Sequence, residues 1–502
     1  MDTTAPGDLD LRGASQLREI GPGLRVAGSL WLGGSVPRAK EQNPDRRKRD
    51  KVSAPRWGRS ALAELPEGIR VEGDFHLEQC SQIKSLPETL RVRGLLSLRG
   101  LARLAHFPQG IFEGARLRIT GCPGLTQLPG GWQPLEQLVL DGVNISTLPP
   151  DLQMAPGGEL VLQNCARLES LPAGLTGSGL LKRIVIRDCP KLESLPDLMA
   201  QTWVVLERLG IQKIESKVEA PRVRIWRCAK LSQITAQVTT SLLTIRHCAS
   251  LTQFATPVGP LKLLDVRGCS SLAFLPDGLC LKTEEYNPAM LDVTGCAALT
   301  YLPTHLTVDG AYTGQAFCLD FEGSGLREAP VYPFPWVVRI RRTRLEPSFV
   351  FSPEMVAPRD ILLHQNAEVR RVLMERLGVD NLLGRIAHTI LDEDRDAGGP
   401  RRLVLIQWSV PLSPPPLEPN SVSMFRSIAW LAASLVGPGL QPVRRRGASR
   451  TDADSRFLHC RCPSTGREYF LPVPPTVATC REAAAWLAGF DRAEDYAPVQ
   501  ET

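Results

Sequence analysis

The stretches that decide the fold are FHLEQCSQI at residues 75–83, LRITGCPGL at 117–125 and LVLQNCARL at 160–168. All three fit the pattern L-x-L-x-x-C-x-x-L, in which apolar residues alternate and a cysteine follows three positions after the second one. Alternation with a period of two places both apolar side chains on the same face of a β-strand. Each stretch therefore predicts a short strand that runs into a turn.

The pattern recurs along most of the chain, and the residue at the cysteine position, here called the slot residue, marks each copy. The predicted slot residues, eight of them cysteine, are Ala14, Ser35, Cys80, Leu101, Cys122, Val143, Cys165, Cys189, Ile214, Cys228, Cys248, Cys269, Cys296, Ser324 and Thr343. A unit of about 21 residues is too short to bury its own apolar face, so the units must stack on one another. The sequence therefore predicts a repeat solenoid of about fifteen units over residues 1–350.

The strand pattern, the slot cysteine and a leucine-proline step, as at Leu86-Pro87 and Leu128-Pro129, resemble bacterial leucine-rich repeats, including those of secreted effectors with short repeats. This resemblance implies a leucine-rich-repeat horseshoe with a parallel sheet on its concave face. Solenoids present extended concave surfaces, which are typical of proteins that hold a partner. We therefore expect a macromolecule-binding scaffold.

One interval breaks the regular spacing, because Ser35 and Cys80 lie 45 residues apart and the register resumes at Arg59. The 24 extra residues, Val36–Arg59, carry nine Lys and Arg against three Asp and Glu, so their net charge is 9 − 3 = +6. That value equals the formal net charge of the whole chain. The insertion at 36–59 is interpreted either as a solvated loop or as a contact with nucleic acid, an acidic protein or a membrane surface.

Beyond residue 350 the repeat stops, and residues 351–502 have the pattern of a small α+β domain. The predicted elements are a helix at 358–378 with Asn366 as N-cap, strands at 403–408, 457–462 and 468–473, and a final helix that starts at 479. Thr479 and Glu482 have the spacing of a capping box. The final helix is expected to turn a set of apolar residues inward: Ala483, Trp486, Leu487 and Phe490.

Four short runs in this region are similar to an uncharacterised C-terminal domain of bacterial proteins. They are NAEVRRVLMERLG at 366–378, CPSTGREY at 462–469, VPPT at 473–476 and EAAAW at 482–486. That domain occurs mainly in actinobacteria and related groups, often behind leucine-rich repeats. The resemblance covers about residues 358–502, implies a bacterial origin, and carries no catalytic residue.

The C-terminal domain contains several residue types that can bind metals or act in catalysis. His459, Cys460, Cys462 and Cys480 are zinc-ligand types, but they lack paired spacing, so no zinc site is predicted. The acidic run at 392–396 precedes Gly398-Gly399-Pro400 and is interpreted as a solvated turn. No phosphate loop and no Gly-x-Ser-x-Gly motif occurs. We expect no cofactor.

Enzymatic activity is the rival hypothesis, in which the C-terminal domain modifies what the repeats present. A ubiquitin ligase would need a reactive cysteine with an acid two residues later, and Cys480 with Glu482 fits loosely, although the capping box already explains Glu482. The other polar candidates are Glu368, Arg370, Arg371, Glu375, Arg467 and Glu468. Their simpler interpretation is salt-bridge pairs on a surface helix.

Composition favours a folded chain, with 43% hydrophobic and 22% charged residues. The longest apolar stretch, Ile428–Val436, is far shorter than the roughly 20 residues that span a bilayer. The N-terminus has neither the basic nor the apolar region of a secretory signal. A cytoplasmic location with reduced cysteines is therefore expected.

The candidate site follows from the period of two, because positions six, four and two before each slot point to the concave face. For the units that end at 189, 214, 228, 248 and 269 these positions are Arg183, Val185, Arg187, Arg208, Gly210, Gln212, Arg222, Arg224, Trp226, Leu242, Thr244, Arg246, Leu263, Asp265 and Arg267. Seven are arginine and one is acidic. We predict that the arginines and Trp226 bind an acidic protein segment, with nucleic acid as the alternative and a merely solvated sheet face as the simplest interpretation.

Overall fold

The computed structural model describes residues 4–14, 16–34, 60–109, 114–176, 179–310, 314–328, 330–340, 343–396, 399–408, 455–461 and 468–496. The chain forms two compact units, Met1–Arg344 and Leu345–Thr502. The predicted basic insertion at 36–59 and the apolar stretch Ile428–Val436 lie outside the described residues.

The first unit is a repeat solenoid, as predicted. Each of its main strands pairs in parallel with the next one along the chain. Among the described residues these strands are β1 Leu9–Arg12, β2 Leu30–Gly33, β3 Phe75–Glu78, β4 Leu95–Arg99, β5 Arg116–Thr120, β6 Leu135–Asp141, β7 Met154–Gln163, β8 Leu181–Arg187, β9 Leu198–Glu207, β10 Arg222–Trp226, β11 Leu242–Arg246, β12 Leu263–Asp265, β13 Ala289–Asp292, β14 Phe317–Asp320 and β15 Trp336–Ile340.

Shorter strands pair on the other sides of the coil and keep successive units in register. One parallel group joins Thr4–Ala5, Arg25–Val26, Arg70–Val71 and Arg91–Val92. The others are Lys213–Ile214 with Gln233–Ile234 and Gln253–Phe254, Val218–Glu219 with Val238–Thr239, and Cys280–Lys282 with Thr307–Asp309. Thr343–Leu345 is a further short strand.

The core lies inside the coil, where each strand contributes alternate apolar side chains. Leu160 and Leu162 are fully buried, and the slot residue Cys165 is almost so. The Cys165 thiol donates to the carbonyl oxygen of Gln163 at 3.2 Å, and the Leu168 N–H donates to the Cys165 carbonyl at 3.2 Å. Burying one such leucine contributes roughly 1.5–3 kcal/mol. The slot thus forms a tight buried turn in which a thiol acts as a small apolar side chain.

Among the described residues, the position directly before the slot has a left-handed backbone in thirteen units, when Leu209 is taken as the slot that follows Cys189, as explained in the next paragraph. These residues are Gly13, Gln79, Gly100, Gly121, Gly142, Asn164, Asp188, Arg208, Arg227, His247, Gly268, Gly295 and Gly323. Every non-glycine residue with positive φ in the described chain belongs to this set. Glycine holds seven of the positions because it alone adopts this conformation without steric cost. The left-handed residue marks where the chain leaves the sheet.

The predicted slot at Ile214 is wrong. Val204 pairs in register with Val223, and Leu206 with Ile225, which makes Leu209 the equivalent of the slot Cys228. Leu209-x-Ile211 also alternates, and both residues are buried, so the sequence pattern fits this unit in two registers. The left-handed conformation of Arg208 identifies the correct one.

The second unit is a small α+β structure, as predicted. Its strands β16 His388–Asp396, β17 Gly399–Ile406, β18 Ser455–Arg461 and β19 Glu468–Val473 form an antiparallel sheet in chain order. Its helices are α1 Pro347–Phe351, α2 Pro358–Leu362, α3 Ala367–Leu377, α4 Val379–Leu383 and α5 Cys480–Ala488, with 3₁₀ turns at Pro353–Met355 and Ala493–Asp495. The longest described helix has 11 residues, and none of the described helices could cross a membrane.

Several local predictions for this unit need correction. The predicted helix at 358–378 is two helices, because the helical conformation is interrupted between Leu362 and Ala367. The acidic run at 392–396 lies on strand β16 and not in a turn. The capping box of Thr479 and Glu482 is confirmed. Ala483 is buried as expected, but three other predicted inward residues are exposed: Trp486, Leu487 and Phe490. The nine-residue helix instead turns Cys480, Ala483 and Ala484 toward the sheet.

Candidate partner-binding face

The outward side of the main sheet carries three rows of side chains that run along the solenoid. Positions six, four and two before each slot form the first, middle and third rows, because alternate residues of a strand point outward. Adjacent strands lie about 4.8 Å apart, so neighbours within a row are close enough for side-chain contact.

Seven of the eight predicted site residues lie on this face. Arg183 and Arg222 are in the first row, Arg224 is in the middle row, and the third row holds Trp226, Arg187, Arg246 and Arg267. Arg208 instead lies in the left-handed turn that follows β9. Because the register of that unit was predicted wrongly, Gly210 and Gln212 are not on the face either. The three outward positions of this unit are instead occupied by Trp203, Val205 and Glu207, which were not predicted from the sequence.

Most of the predicted arginines are already paired with carboxylates. Arg183 Nη2 lies 3.1 Å from Glu159 Oε2, and Arg187 Nε lies 3.3 Å from Glu207 Oε2. Arg208 contacts Glu207 through Nη1 at 2.6 Å and also pairs with Asp188. Apart from the contact between Arg208 and Glu207, which lies within one unit, these ion pairs join neighbouring units. They therefore stabilise the face and offer little free charge to a partner.

A buried carboxylate organises the next two arginines. Arg267 Nη2 lies 2.8 Å from Asp265 Oδ2, and Arg246 Nε donates to the same oxygen at 2.7 Å. Burial alone would raise the pKa of Asp265, but the hydrogen bonds from Arg267 and Arg246 outweigh it and hold that pKa below its ordinary value. Arg267 Nε also lies 3.0 Å from Asp292, whose pKa is raised by burial. Arg246 and Arg267 are therefore neutralised by the sheet itself.

Arg222 and Arg224 differ from the other predicted arginines. Both are exposed, and neither has a carboxylate partner among the residues that the structure describes. In register, Arg222 lies next to Trp203 and Arg224 lies next to Val205. Trp226, on the same strand, is half-buried, and the Cζ atom of Arg227 lies 5.4 Å from its ring centroid. Two unneutralised guanidinium groups thus stand beside two indoles.

Another aromatic cluster lies at the N-terminal end of the same face. The rings of Trp31 and His76 stack with centroids 5.5 Å apart, and the Arg12 guanidinium lies 5.4 Å from the Trp31 centroid. Arg12 is also paired with Asp10. Burial lowers the pKa of His76. The side chains of this cluster contact one another. Trp31 can therefore serve as a control for Trp226 in experiments on the same face.

The polar residues proposed for catalysis in the second unit are engaged by local partners. Arg371 pairs with Glu375 one turn along the same helix, and Arg370 donates to the His364 carbonyl. Glu468 lies 3.9 Å from His459. The side chain of Glu368 and all of Arg467 lie outside what the structure describes. The described contacts bring no set of these residues to a common reaction centre.

Cys480 has the environment of a structural thiol. Its Sγ donates to the carbonyl oxygen of Asp392 at 3.4 Å, and its backbone N–H donates to the Asp392 carboxylate at 2.7 Å. Burial raises the pKa of this thiol to about 12, which disfavours the nucleophilic thiolate. Across the described residues, no group of three or more potential ligands is arranged to hold a metal ion.

The fold places the chain in the class of repeat solenoids built from stacked parallel strands. No family model matches the chain, and neither the curated proteins nor the solved structures gave a match. The leucine-rich-repeat type, the bacterial origin and the resemblance of the C-terminal unit therefore stay predictions.

Proposed function

We propose that the protein is a protein-binding scaffold whose solenoid recognises an acidic segment of a partner through Arg222, Arg224 and Trp226. The observation that carries this proposal is the exposure of both guanidinium groups on a strand whose neighbouring arginines are neutralised. An incoming carboxylate can form charge-assisted, bidentate hydrogen bonds with such a group. Each hydrogen bond of this kind contributes roughly 1.5–3 kcal/mol.

The strand that carries these residues is well suited to hold them in place. β10 pairs along its whole length with β9 on one side and with β11 on the other. Because the backbone of a fully paired strand is already ordered, an arginine on it loses little backbone entropy when it binds a partner, which favours affinity. Trp226 is half-buried, and tryptophan and arginine are the residue types that dominate binding hot spots.

Nucleic acid is the second candidate, and the charge pattern disfavours it. Glu207 lies in the third row directly beside Trp226, and Asp265 and Asp292 follow in the middle row. Because these carboxylates are paired with neighbouring arginines, the face offers few unpaired cations to a phosphate backbone, which places one negative charge every 1.7 Å of duplex axis on average. A short acidic peptide carries far fewer charges and can place one of them on Arg224 alone. The mixed face therefore supports a protein partner.

The remaining assignments follow the same proposal. The C-terminal unit serves in docking or oligomerisation, and its exposed Trp486, Leu487 and Phe490 support that role because apolar side chains on a surface favour association. The cysteines of the described residues are free thiols, which supports a reducing, cytoplasmic location. Within the part of the chain that the structure describes, no cluster of side chains gives comparable support to the enzyme alternative, including a secreted effector.

Affinity capture with paired variants tests the proposal. The test variant combines Arg224→Glu with Trp226→Ala, and the control combines Arg118→Glu with Trp31→Ala, an exposed arginine and a tryptophan from the middle row of the same face. Proteins retained by the wild type and by the control should be lost from the test variant, while all three chains unfold at similar temperatures. Equal retention by the test variant would contradict the proposal, as would retention of nucleic acid without protein.

A further inference from the structure

Two apolar tracks meet at Arg222 and Arg224. The first track follows the middle row across four consecutive strands, with each residue in register with the next: Val139, Val161, Val185 and Val205. The second track follows the first row across three strands after β10: Leu242, Leu263 and Met290. Arg224 continues the first track, and Arg222 begins the second. The order along the solenoid is therefore apolar, cationic, apolar.

These side chains lie on the opposite side of the sheet from the core. An outward row on a sheet with one solvated face is normally polar, and the middle row becomes polar beyond β10, with Thr244, Asp265 and Asp292. The valines are consequently not required by the inner packing of the coil. The other residues of the two tracks are half-buried: Val139, Val161, Leu242, Leu263 and Met290. Accessible apolar surface that is contiguous on an outward face favours an interaction site.

The rows of side chains on both sides of the valine track form its walls, and their charged groups are paired with one another. The ion pairs Arg183–Glu159 and Arg187–Glu207 run between neighbouring strands in the first and third rows. Between these walls, Val185 is 7% and Val205 is 6% exposed, so neighbouring side chains cover most of both valines. A partner on this track contacts the half-buried Val139 and Val161 and the exposed edges of the other two valines before it reaches the unpaired guanidinium groups.

We propose that the partner segment lies along the solenoid axis, across the strands, with one acidic residue flanked on both sides by apolar residues. This inference rests on the proposed function and specifies the chemistry of the partner. The acidic side chain pairs with Arg224 and Arg222, and the flanking apolar side chains occupy the two tracks. Seven strand steps separate Val139 from Met290, a span of about 34 Å that about ten residues of extended chain would cover.

A displayed library of random peptides of about 12 residues, selected on the full-length protein, tests the inference. Peptides with one Asp or Glu between two apolar groups should be enriched. In fluorescence anisotropy with one such synthetic peptide, Val185→Lys and Leu263→Lys should each weaken binding by about tenfold or more. The control Gln163→Lys, at a third-row position outside both tracks, should leave the affinity unchanged.

The outcomes separate the two proposals. The track model would be overturned if the selected peptides were acidic without flanking apolar residues and if their binding depended on Arg224 but not on Val185 or Leu263. The proposed function would still stand in that case. Failure to select any peptide that Arg224→Glu weakens would contradict the proposed function itself. Self-association that the track variants abolish would overturn the inference in favour of a second copy of this chain. If a lysine variant unfolds, Val185→Thr and Leu263→Gln replace it and should still weaken binding.

Discussion

Arg267 Nη2 lies 2.8 Å from Asp265 Oδ2, and the side chain of this aspartate is 2% exposed. A buried carboxylate on the outward side of a sheet must be compensated, and here two guanidinium groups and the Arg267 backbone N–H supply the compensation. The neighbouring Asp292 is less well compensated, because burial raises its pKa whereas that of Asp265 is lowered. We therefore expect the two aspartates to differ in their effect on stability.

We expect Asp265→Asn to destabilise the solenoid by about 1–3 kcal/mol at neutral pH. Since the pKa of Asp265 is lowered in the folded state, its contribution is present above its unfolded pKa and is lost as the pH falls through the folded value. Asp292→Asn should cost less or stabilise, because a raised folded pKa penalises the charged form at neutral pH. Urea unfolding of both variants between pH 3 and 7 measures the difference. An equal loss for both would contradict this account.

The left-handed position before the slot gives a prediction that depends on the backbone alone. An added Cβ at Gly121 would find its nearest neighbour, Gly100 N, at 3.8 Å, so Gly121→Ala meets no steric obstacle. Its φ of +64° should still cost the alanine about 1–2 kcal/mol. Gly121→Asn should be milder, since Asn164 adopts the same conformation at the equivalent place. Thermal unfolding would contradict this account if alanine proved as stable as glycine.

The slot cysteines are expected to be reduced and unreactive in the folded chain. Burial raises the pKa of the Cys122 thiol to about 11, which leaves little thiolate at pH 8. Cys280 and Cys460 are half-buried and should react with a thiol reagent before the slot cysteines do. Cys122→Ser should be tolerated, whereas Cys122→Asp buries a charge and should unfold the coil. Rapid native-state labelling of Cys122 or Cys248 would count against a structural role.

The basic stretch Val36–Arg59 is expected to be dispensable for folding. Leu30 pairs directly with Phe75, and Leu32 with Leu77, so the main sheet is continuous between the strands that precede and follow this stretch. Removal of residues 37–58 should leave the unfolding temperature nearly unchanged. Limited trypsin digestion of the full chain should cut first at Arg46–Arg49. A large loss of stability on deletion would show that the stretch contributes to the core.

The sequence predicted the repeat well because its strands carry a strong period of two and a fixed turn. The strand register agrees with the predicted slots in every unit except the one assigned to Ile214. That slot implied intervals of 25 and 14 residues, whereas Leu209 gives 20 and 19, close to the usual 21. The spacing could therefore have revealed the error, as could the preference for a left-handed residue directly before the slot.

The charge of the candidate face was harder to predict. Glu159 belongs to a unit just outside the five considered, and Glu207 was hidden by the register error, although both neutralise arginines across 20 to 24 residues of sequence. Of the seven arginines predicted on this stripe, Arg222 and Arg224 are therefore the two without a carboxylate partner among the described residues. In the second unit, the inward side of the last helix was misassigned because Trp486 follows helical spacing but is 39% exposed. The short final helix packs through Ala483 and Ala484 instead.

Isothermal titration calorimetry of the captured partner tests the central claim most directly. The dissociation constant is measured for the wild type, for Arg224→Glu and for Arg118→Glu. Both substitutions reverse one exposed arginine in the middle row, so they change the net charge equally. The account predicts that Arg224→Glu weakens binding by about a hundredfold, the loss of roughly 2.7 kcal/mol expected when a charge pair is replaced by repulsion. Arg118→Glu should leave the constant nearly unchanged. Equal constants for the two variants would contradict the assignment of Arg224 to the binding site.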